Sequence, residues 1–214
     1  MTTRRVLAGL AVVSLLLPGA GPAQADPAPV ARASLGSADL VLDGESETIE
    51  TLAPCADGVE AATSDGDEIE RFVEFEAGET TCEVDQGVAT ASVTGDQFRL
   101  AGLARYGGPE LIQIADFTAT CESTETGSRS RIRLGELSGV TVPSPVPPNH
   151  VVTIPGPDAD APPIATLTFN EKALSEPTDG AMTVHLLHVR LFPDGPAEQV
   201  TGDIVVGSVT CSPS

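Results

Sequence analysis

The chain has no tryptophan and one tyrosine, Tyr106, so an aromatic platform for stacking sugar rings or bases has little to be built from. Lysine is nearly absent: Lys172 stands alone among the 11 basic residues. With abundant Ala, Gly, Pro, Val and Thr, this bias points to a high-GC bacterial genome such as an actinobacterium's. Positive charge of either kind is scarce, 11 basic against 31 acidic residues for a net charge of −20. Such a surface repels phosphate backbones and anionic lipid, which argues against nucleic acid as a partner and against a direct membrane anchor. The acidity suits an exported protein that must stay soluble. No apolar run reaches the roughly 18 residues of a membrane span. Catalytic motifs are missing as well, with no Gly-x-Ser-x-Gly elbow and no His-Glu-x-x-His helix. Carboxylate pairs abound in so acidic a chain and discriminate nothing.

What is present begins with an export signal. Arg4 and Arg5 precede an apolar run at 6–17, Pro18 and Gly19 break it, and Ala23-Gln24-Ala25 offers the small-x-small pattern of signal-peptidase cleavage. Residues 1–25 are therefore read as a signal peptide, by the general secretory or the twin-arginine route. The mature chain is expected to start at Asp26, with 189 residues and nine basic against 31 acidic side chains, a net charge of −22. The absence of a cysteine just after the apolar run argues against a lipoprotein.

Residues 26–31 (DPAPVA) form a Pro-rich lead expected to be flexible. Beyond Arg32 helical periodicity is almost absent. Short alternating apolar runs bounded by Gly, Pro, Asp and Asn predict strands at 38–42, 69–75, 88–94, 98–106, 111–121, 129–140, 150–154, 164–169, 182–192 and 203–211. About ten strands predict an all-β fold, a single Ig-like or jelly-roll-like β-sandwich over 32–214. The segment 141–149 (TVPSPVPPN) carries four prolines, which cannot donate to a sheet ladder, so it is a loop or an edge crossing. It could divide two domains. Three cysteines precede it and one follows, however, so full pairing must join the two halves.

Those cysteines are Cys55, Cys82, Cys121 and Cys211, an even count that implies two disulfides in an exported chain. No free thiol then remains for a Cys–His pair. Two strands, ending in Thr120-Cys121 and Thr210-Cys211, look like echoes of one another. Counting back by twos, Cys121 shares a face with Ala119, Phe117 and Ala115, and Cys211 with Val209, Gly207 and Val205. Both sulfurs sit on apolar faces, which favours Cys121–Cys211 and leaves Cys55–Cys82.

The second half carries an ordered set of segments: Leu134-Gly135-Glu136-Leu137-Ser138-Gly139-Val140, the Pro-rich crossing, Pro148-Asn149-His150-Val151-Val152-Thr153-Ile154-Pro155-Gly156, Phe169-Asn170-Glu171, Val184-His185-Leu186-Leu187-His188-Val189 and Gly202-Asp203-Ile204-Val205-Val206-Gly207-Ser208. Over 134–211 this order resembles the choice-of-anchor P family of actinobacterial exported surface proteins. The family pattern has Asn and Ala where His185 and Leu186 stand. The resemblance implies a secreted or cell-surface location and an envelope or extracellular partner. It brings no catalytic residues with it. Ending at Ser214 without a sorting motif, apolar tail or basic tail, the chain looks like an unanchored member.

Three constellations carry candidate chemistry. His185 and His188 would share a face on a helix, but 182–192 reads as a strand, where odd spacing sends the rings to opposite faces and a joint zinc site fails. On that count His188 falls with Val184, Leu186 and Arg190, as a core or edge histidine. The acidic runs Asp65-Gly66-Asp67-Glu68 and Asp158-Ala159-Asp160 could offer oxygens to calcium, but they lack EF-hand spacing and read as solvated loops. Arg129, Arg131 and Arg133 line one face of a strand and could receive an acidic glycan or carboxylate. Pairing with an acidic neighbour strand bearing Glu70, Glu74 and Glu76 is the plainer reading.

The sequence thus describes a secreted, acidic, disulfide-stapled envelope or extracellular protein with a structural or binding role. It is not expected to be an enzyme, and no catalytic, cofactor or metal residues are assigned. A calcium-dependent adhesion module and a hydrolase with a carboxylate pair are the alternatives.

Overall fold

The computed structural model describes residues 28–56, 58–125, 127–158, 160–174, 180–193 and 200–213. The signal peptide and the first two residues of the lead lie outside the described residues. Strands are cut short by turns that only particular residues tolerate. Asp43-Gly44 and Gln86-Gly87 have positive φ at both positions (52° and 84°, 48° and 83°) and close two-residue hairpins.

The described residues form sixteen strands. In chain order the first six are β1 (Val30–Leu42), β2 (Glu45–Leu52), β3 (Ala61–Ser64), β4 (Asp67–Ile69), β5 (Val73–Phe75) and β6 (Gly78–Asp85). Next come β7 (Val88–Gly95), β8 (Phe98–Leu100), β9 (Ile112–Ile114), β10 (Phe117–Thr124) and β11 (Gly127–Leu134). The last five are β12 (Leu137–Ser138), β13 (His150–Ile154), β14 (Ala165–Leu174), β15 (Met182–Leu191) and β16 (Val200–Ser212). The fold is all-β, with three antiparallel sheets ordered β13-β14-β15-β16-β1-β2, β11-β10-β7-β6-β3 and β12-β9-β8-β5-β4.

Several expectations are corrected here. Sixteen strands replace about ten, because the runs 69–75, 111–121 and 129–140 each break in two. The strands at Glu45–Leu52, Ala61–Ser64 and Gly78–Asp85 were not anticipated. The run 98–106 is strand only to Leu100, after which Gly102–Tyr106 is a 3-10 turn. Val30 and Ala31, assigned to the flexible lead, pair with Ser212 and Cys211, and Ala31 is buried.

The two five-stranded sheets run into one another strand by strand. β3 continues into β4, β5 into β6, β7 into β8, β9 into β10 and β11 into β12, each across two residues. The pairing register is the same on both sides of this line. Backbone bonds from Glu76 N to Gln97 O and from Gly135 N to Asp116 O carry the ladder through it. Inward-facing parity changes there: Ala91, Val93 and Gly95 point inward before it on one strand, Phe98 and Leu100 after it. The layer is therefore creased, and the crease shifts every strand's alternation by one residue.

The six-stranded sheet has a matching line at Leu35/Gly36, Gly207, Leu186/Leu187 and Asn170, with Gly207 and Asn170 at φ 60° and 51°. The two lines meet in the core. Side chains of Leu35 and Phe117 occupy the space where a Cβ on Gly95 would stand, and Phe75 occupies that of Gly36. One continuous apolar cluster joins the sheets. Cys121–Cys211 and Cys55–Cys82 both form, as face matching indicated, linking β10 to β16 and the segment after β2 to β6. Segments on both sides of the Pro-rich crossing thus share one core.

Candidate functional site

The site is built along β11, an edge strand whose pairing partner is β10. Its sequence alternates half-buried Ser130, Ile132 and Leu134 with exposed Arg129, Arg131 and Arg133. The acids beside the arginines come from the β10 side, not from Glu70, Glu74 and Glu76. Arg129 Nη2 lies 2.6 Å from Glu122 Oε1, and Arg133 Nη2 lies 2.7 Å from Asp116 Oδ1. Glu74 is taken by Arg99 at 3.1 Å instead, and Glu70 by Arg71 at 3.3 Å. Arg131 stands opposite Thr120, which offers no charge.

The Pro-rich crossing stands beside this edge and cannot pair with it through Pro143 or Pro145, which lack an N–H. Its far end is clamped to β14 by two asparagines in the left-handed region, Asn149 and Asn170, at φ 56° and 51°. Asn149 N–H donates to Asn170 O (2.9 Å), and Asn170 Nδ2 donates to Val146 O (3.1 Å). Asn149 Oδ1 accepts from the N–H of Lys172 (2.7 Å). Val142, Val146, Leu137, Ile132 and Leu134 pack partly buried against the core beneath.

Between these walls lies a groove of about 500 Å³ whose lining includes Arg131, Arg133, Ile132, Leu134, Val146 and Lys172. Among the described residues no carboxylate lines it. Among the described residues, Arg105, Arg131 and Lys172 are the cations without a carboxylate partner, and two of these three face this groove. Ser130 Oγ, in the same wall, is buried and unpartnered. The groove was not anticipated: its arginines, its prolines and Asn170 belong to separate stretches of sequence, and Lys172 stands out there only for its rarity.

The two histidines require a second correction. Their rings lie on the same outer face of the six-stranded sheet, with centroids 6.0 Å apart. Leu186 and Leu187 both point inward, so the alternation slips between His185 and His188. His188 is therefore not on the face of Val184 and Leu186. Its Nδ1 lies 2.9 Å from Glu171 Oε2 and its Nε2 2.8 Å from Asp203 Oδ1, with Arg190 Nε 3.5 Å from the same Asp203 oxygen. Both ring nitrogens are thus engaged, each with a carboxylate oxygen. Neither nitrogen is then free to bind a metal. His185 Nδ1 is buried without a partner. Burial holds this ring's pKa below the ordinary value; the Glu171 carboxylate opposes the shift and His188 adds to it.

Of the acidic runs, Asp65 to Glu68 spans the crease into β4, where Gly66 N–H donates to Ser64 Oγ (3.1 Å) and Glu68 N–H to Asp67 Oδ1 (2.8 Å). Asp158 and Asp160 are exposed, and Ala159 lies outside the described residues. Among the described residues no cluster of three or more His, Cys, Asp or Glu is arranged to hold a metal ion. No described helix is long and apolar enough to cross a membrane.

Fold and site together define a class: an all-β domain with two disulfides and an edge groove whose unpaired charges are cationic. Two disulfides are compatible with an extracellular setting. Beyond the class there is no relative to point to, since no family model, curated protein or solved structure matches the chain.

Proposed function

We propose that this protein is an exported domain of the bacterial envelope or its surroundings that works by binding. Its ligand site is the β11 groove, and its ligand is an anion with an apolar portion. One observation carries this reading: Arg131 and Lys172, both without a carboxylate partner among the described residues, meet on different walls of one groove in a chain of net charge −20. In so acidic a chain, cations that meet no acid are available to a ligand, and a guanidinium presents a fork suited to a carboxylate. The apolar floor of Ile132, Leu134, Leu137, Val142 and Val146 suits a hydrocarbon portion.

Export is supported by the leader pattern at 1–25 and by an even cysteine count consumed in two disulfides. The resemblance of 134–211 to choice-of-anchor P surface proteins supports an envelope location. Segments that carry it, 134–137, the crossing and Asn170, meet around the groove. We read the layers as a single sandwich whose second layer is creased. A binding role is favoured over catalysis because, among the described residues, the groove's titratable side chains are the cations Arg131, Arg133 and Lys172, which form no general acid–base pair.

Octanoate, a carboxylate with an apolar tail, provides the test. At low ionic strength it should shift the backbone amide NMR signals of Ile132 and Leu134 in the groove wall, while octanol leaves them in place. The double substitution Arg131→Gln, Lys172→Gln should abolish the shift. Unmoved signals at millimolar octanoate would remove the groove as an anion site.

A further inference from the structure

We infer that the groove takes an extended peptide segment of another protein, carboxylates alternating with apolar residues, added as a further strand to the free edge of β11. This rests on the anion-site reading above and specifies its ligand. Five consecutive strand residues, Ser130 to Leu134, line the groove together with Gly135, so the opening follows the sheet edge rather than a point on it. β11 pairs on one side, with β10, and its other side has no strand among the described residues. The crossing that faces it carries Pro143 and Pro145, so it cannot complete the ladder there. A peptide strand can, because its own N–H and C=O groups alternate along the edge.

Side-chain placement selects the peptide. Arg131 and Arg133, two residues apart, share a face, and Ile132 and Leu134 share the other. A facing strand with acids at every second position sets each acid against a guanidinium and its intervening apolar residues against the apolar floor. Arg131, which lacks a partner, is the main anchor, and Arg133 already holds Asp116. The chain's own edge strand β2 carries Glu45 and Glu47 at the same spacing. A net charge of −20 on each copy opposes that pairing, which makes a foreign segment the occupant.

The test uses a fluorescein-labelled capped peptide of alternating Val and Glu, with anisotropy as the readout and the whole mature protein as receptor. Two versions N-methylated at every second amide, one in each phase, distinguish the edge that faces β11 from the edge that faces away. Strand addition predicts that the parent binds, that one methylated phase fails and that the other binds like the parent. Arg131→Glu should weaken the parent at least tenfold, and bound peptide should slow exchange of the β11 amides that do not face β10. If both methylated phases bind equally and Arg131→Glu weakens both, strand addition is wrong and the anion site stands. If the peptide fails while octanoate binds, strand addition is again wrong and the anion site again stands. If neither binds, both readings fall. Self-association in light scattering that Arg131→Glu abolishes would reassign the groove to a second copy and overturn the foreign partner.

Discussion

Gly95→Ala tests whether the six-stranded sheet and the sheet that holds β7 interlock through Leu35 and Phe117. Gly95 ends β7 between Gly78 of β6 and Phe117 of β10, and its Cβ position is filled by the Phe117 ring and a methyl of Leu35. Leu35 belongs to the other layer, so the added methyl must wedge the layers apart or displace two side chains that are 1 % exposed. On backbone grounds alone, replacing a strand glycine with alanine should stabilise by roughly 0.5–1 kcal/mol. Overfilling a packed core costs about 1–3 kcal/mol. The second effect wins, leaving a net loss of roughly 1–2 kcal/mol, which for a domain of this size lowers Tm by about 2–8 °C. Calorimetry with both disulfides intact measures it. Phe117→Leu, which shortens the ring's reach, should make Gly95→Ala cheaper than it is in the parent by more than about 0.5 kcal/mol in a double-mutant cycle. A Gly95→Ala protein as stable as the parent, or more so, would refute the interlock.

Three further outcomes follow from particular residues. Cys121–Cys211 closes a span of 90 residues and Cys55–Cys82 one of 27, so loop entropy assigns them about 4.6 and about 3.5 kcal/mol. Replacing the first pair by serine should therefore lower the urea midpoint further than replacing the second, and the reverse order would contradict this. The folded-state pKa of His185 is held below its unfolded value by burial. Its contribution is complete above about pH 6.5 and is lost as pH falls toward the folded value, while the unfolded chain takes up a proton the folded one resists. His185→Gln, beside Glu171 and His188, should flatten the dependence of Tm on pH below neutrality, and an unchanged slope would remove His185 as its source. Asn170→Ala removes the polar side chain that makes the left-handed region tolerable and deletes the bond to Val146 O, for a loss of roughly 1–2 kcal/mol. Asn170→Gly keeps the backbone and should lose less in the same denaturation assay; equal losses would show that the conformation is immaterial.

Period-two alternation locates most of the strands that bury a run of apolar residues on one face, though not Gly78–Asp85, whose buried residues are Thr80 and Cys82. His150–Ile154 agrees to the residue, and the disulfides were legible because Phe117, Ala119 and Cys121 lie on one uninterrupted half-strand, as do Val209 and Cys211. Two physical features hid the rest. In β2 only Ile49 is buried, so the edge strand reads as polar chain. At the creases two neighbouring residues point the same way, and counting by twos across them returns the wrong face. Counting by twos groups Ala115 with Cys121 and His188 with Leu186 because each count crosses such a line. The signal available was the adjacent pair Leu186-Leu187, which a strict alternation cannot bury.

The groove was harder to see, because its walls come from segments that each had a sufficient local explanation. An arginine stripe reads as edge charge and a proline run as a crossing. What joins them is the backbone at Asn170. Phe169 points inward, and strict alternation from it would turn Glu171 into the core and Lys172 outward. With Asn170 in the left-handed region the phase slips: Glu171 reaches His188 on the outer face, and Lys172 turns to the groove. A carboxylate driven into an apolar core would cost several kcal/mol, far above the roughly 1–2 kcal/mol of a left-handed residue. The order Phe169-Asn170-Glu171-Lys172 thus suits the creased arrangement and not a flat strand. One left-handed residue sorts the charges on its C-terminal side, the anion to the histidine face and the cation to the groove.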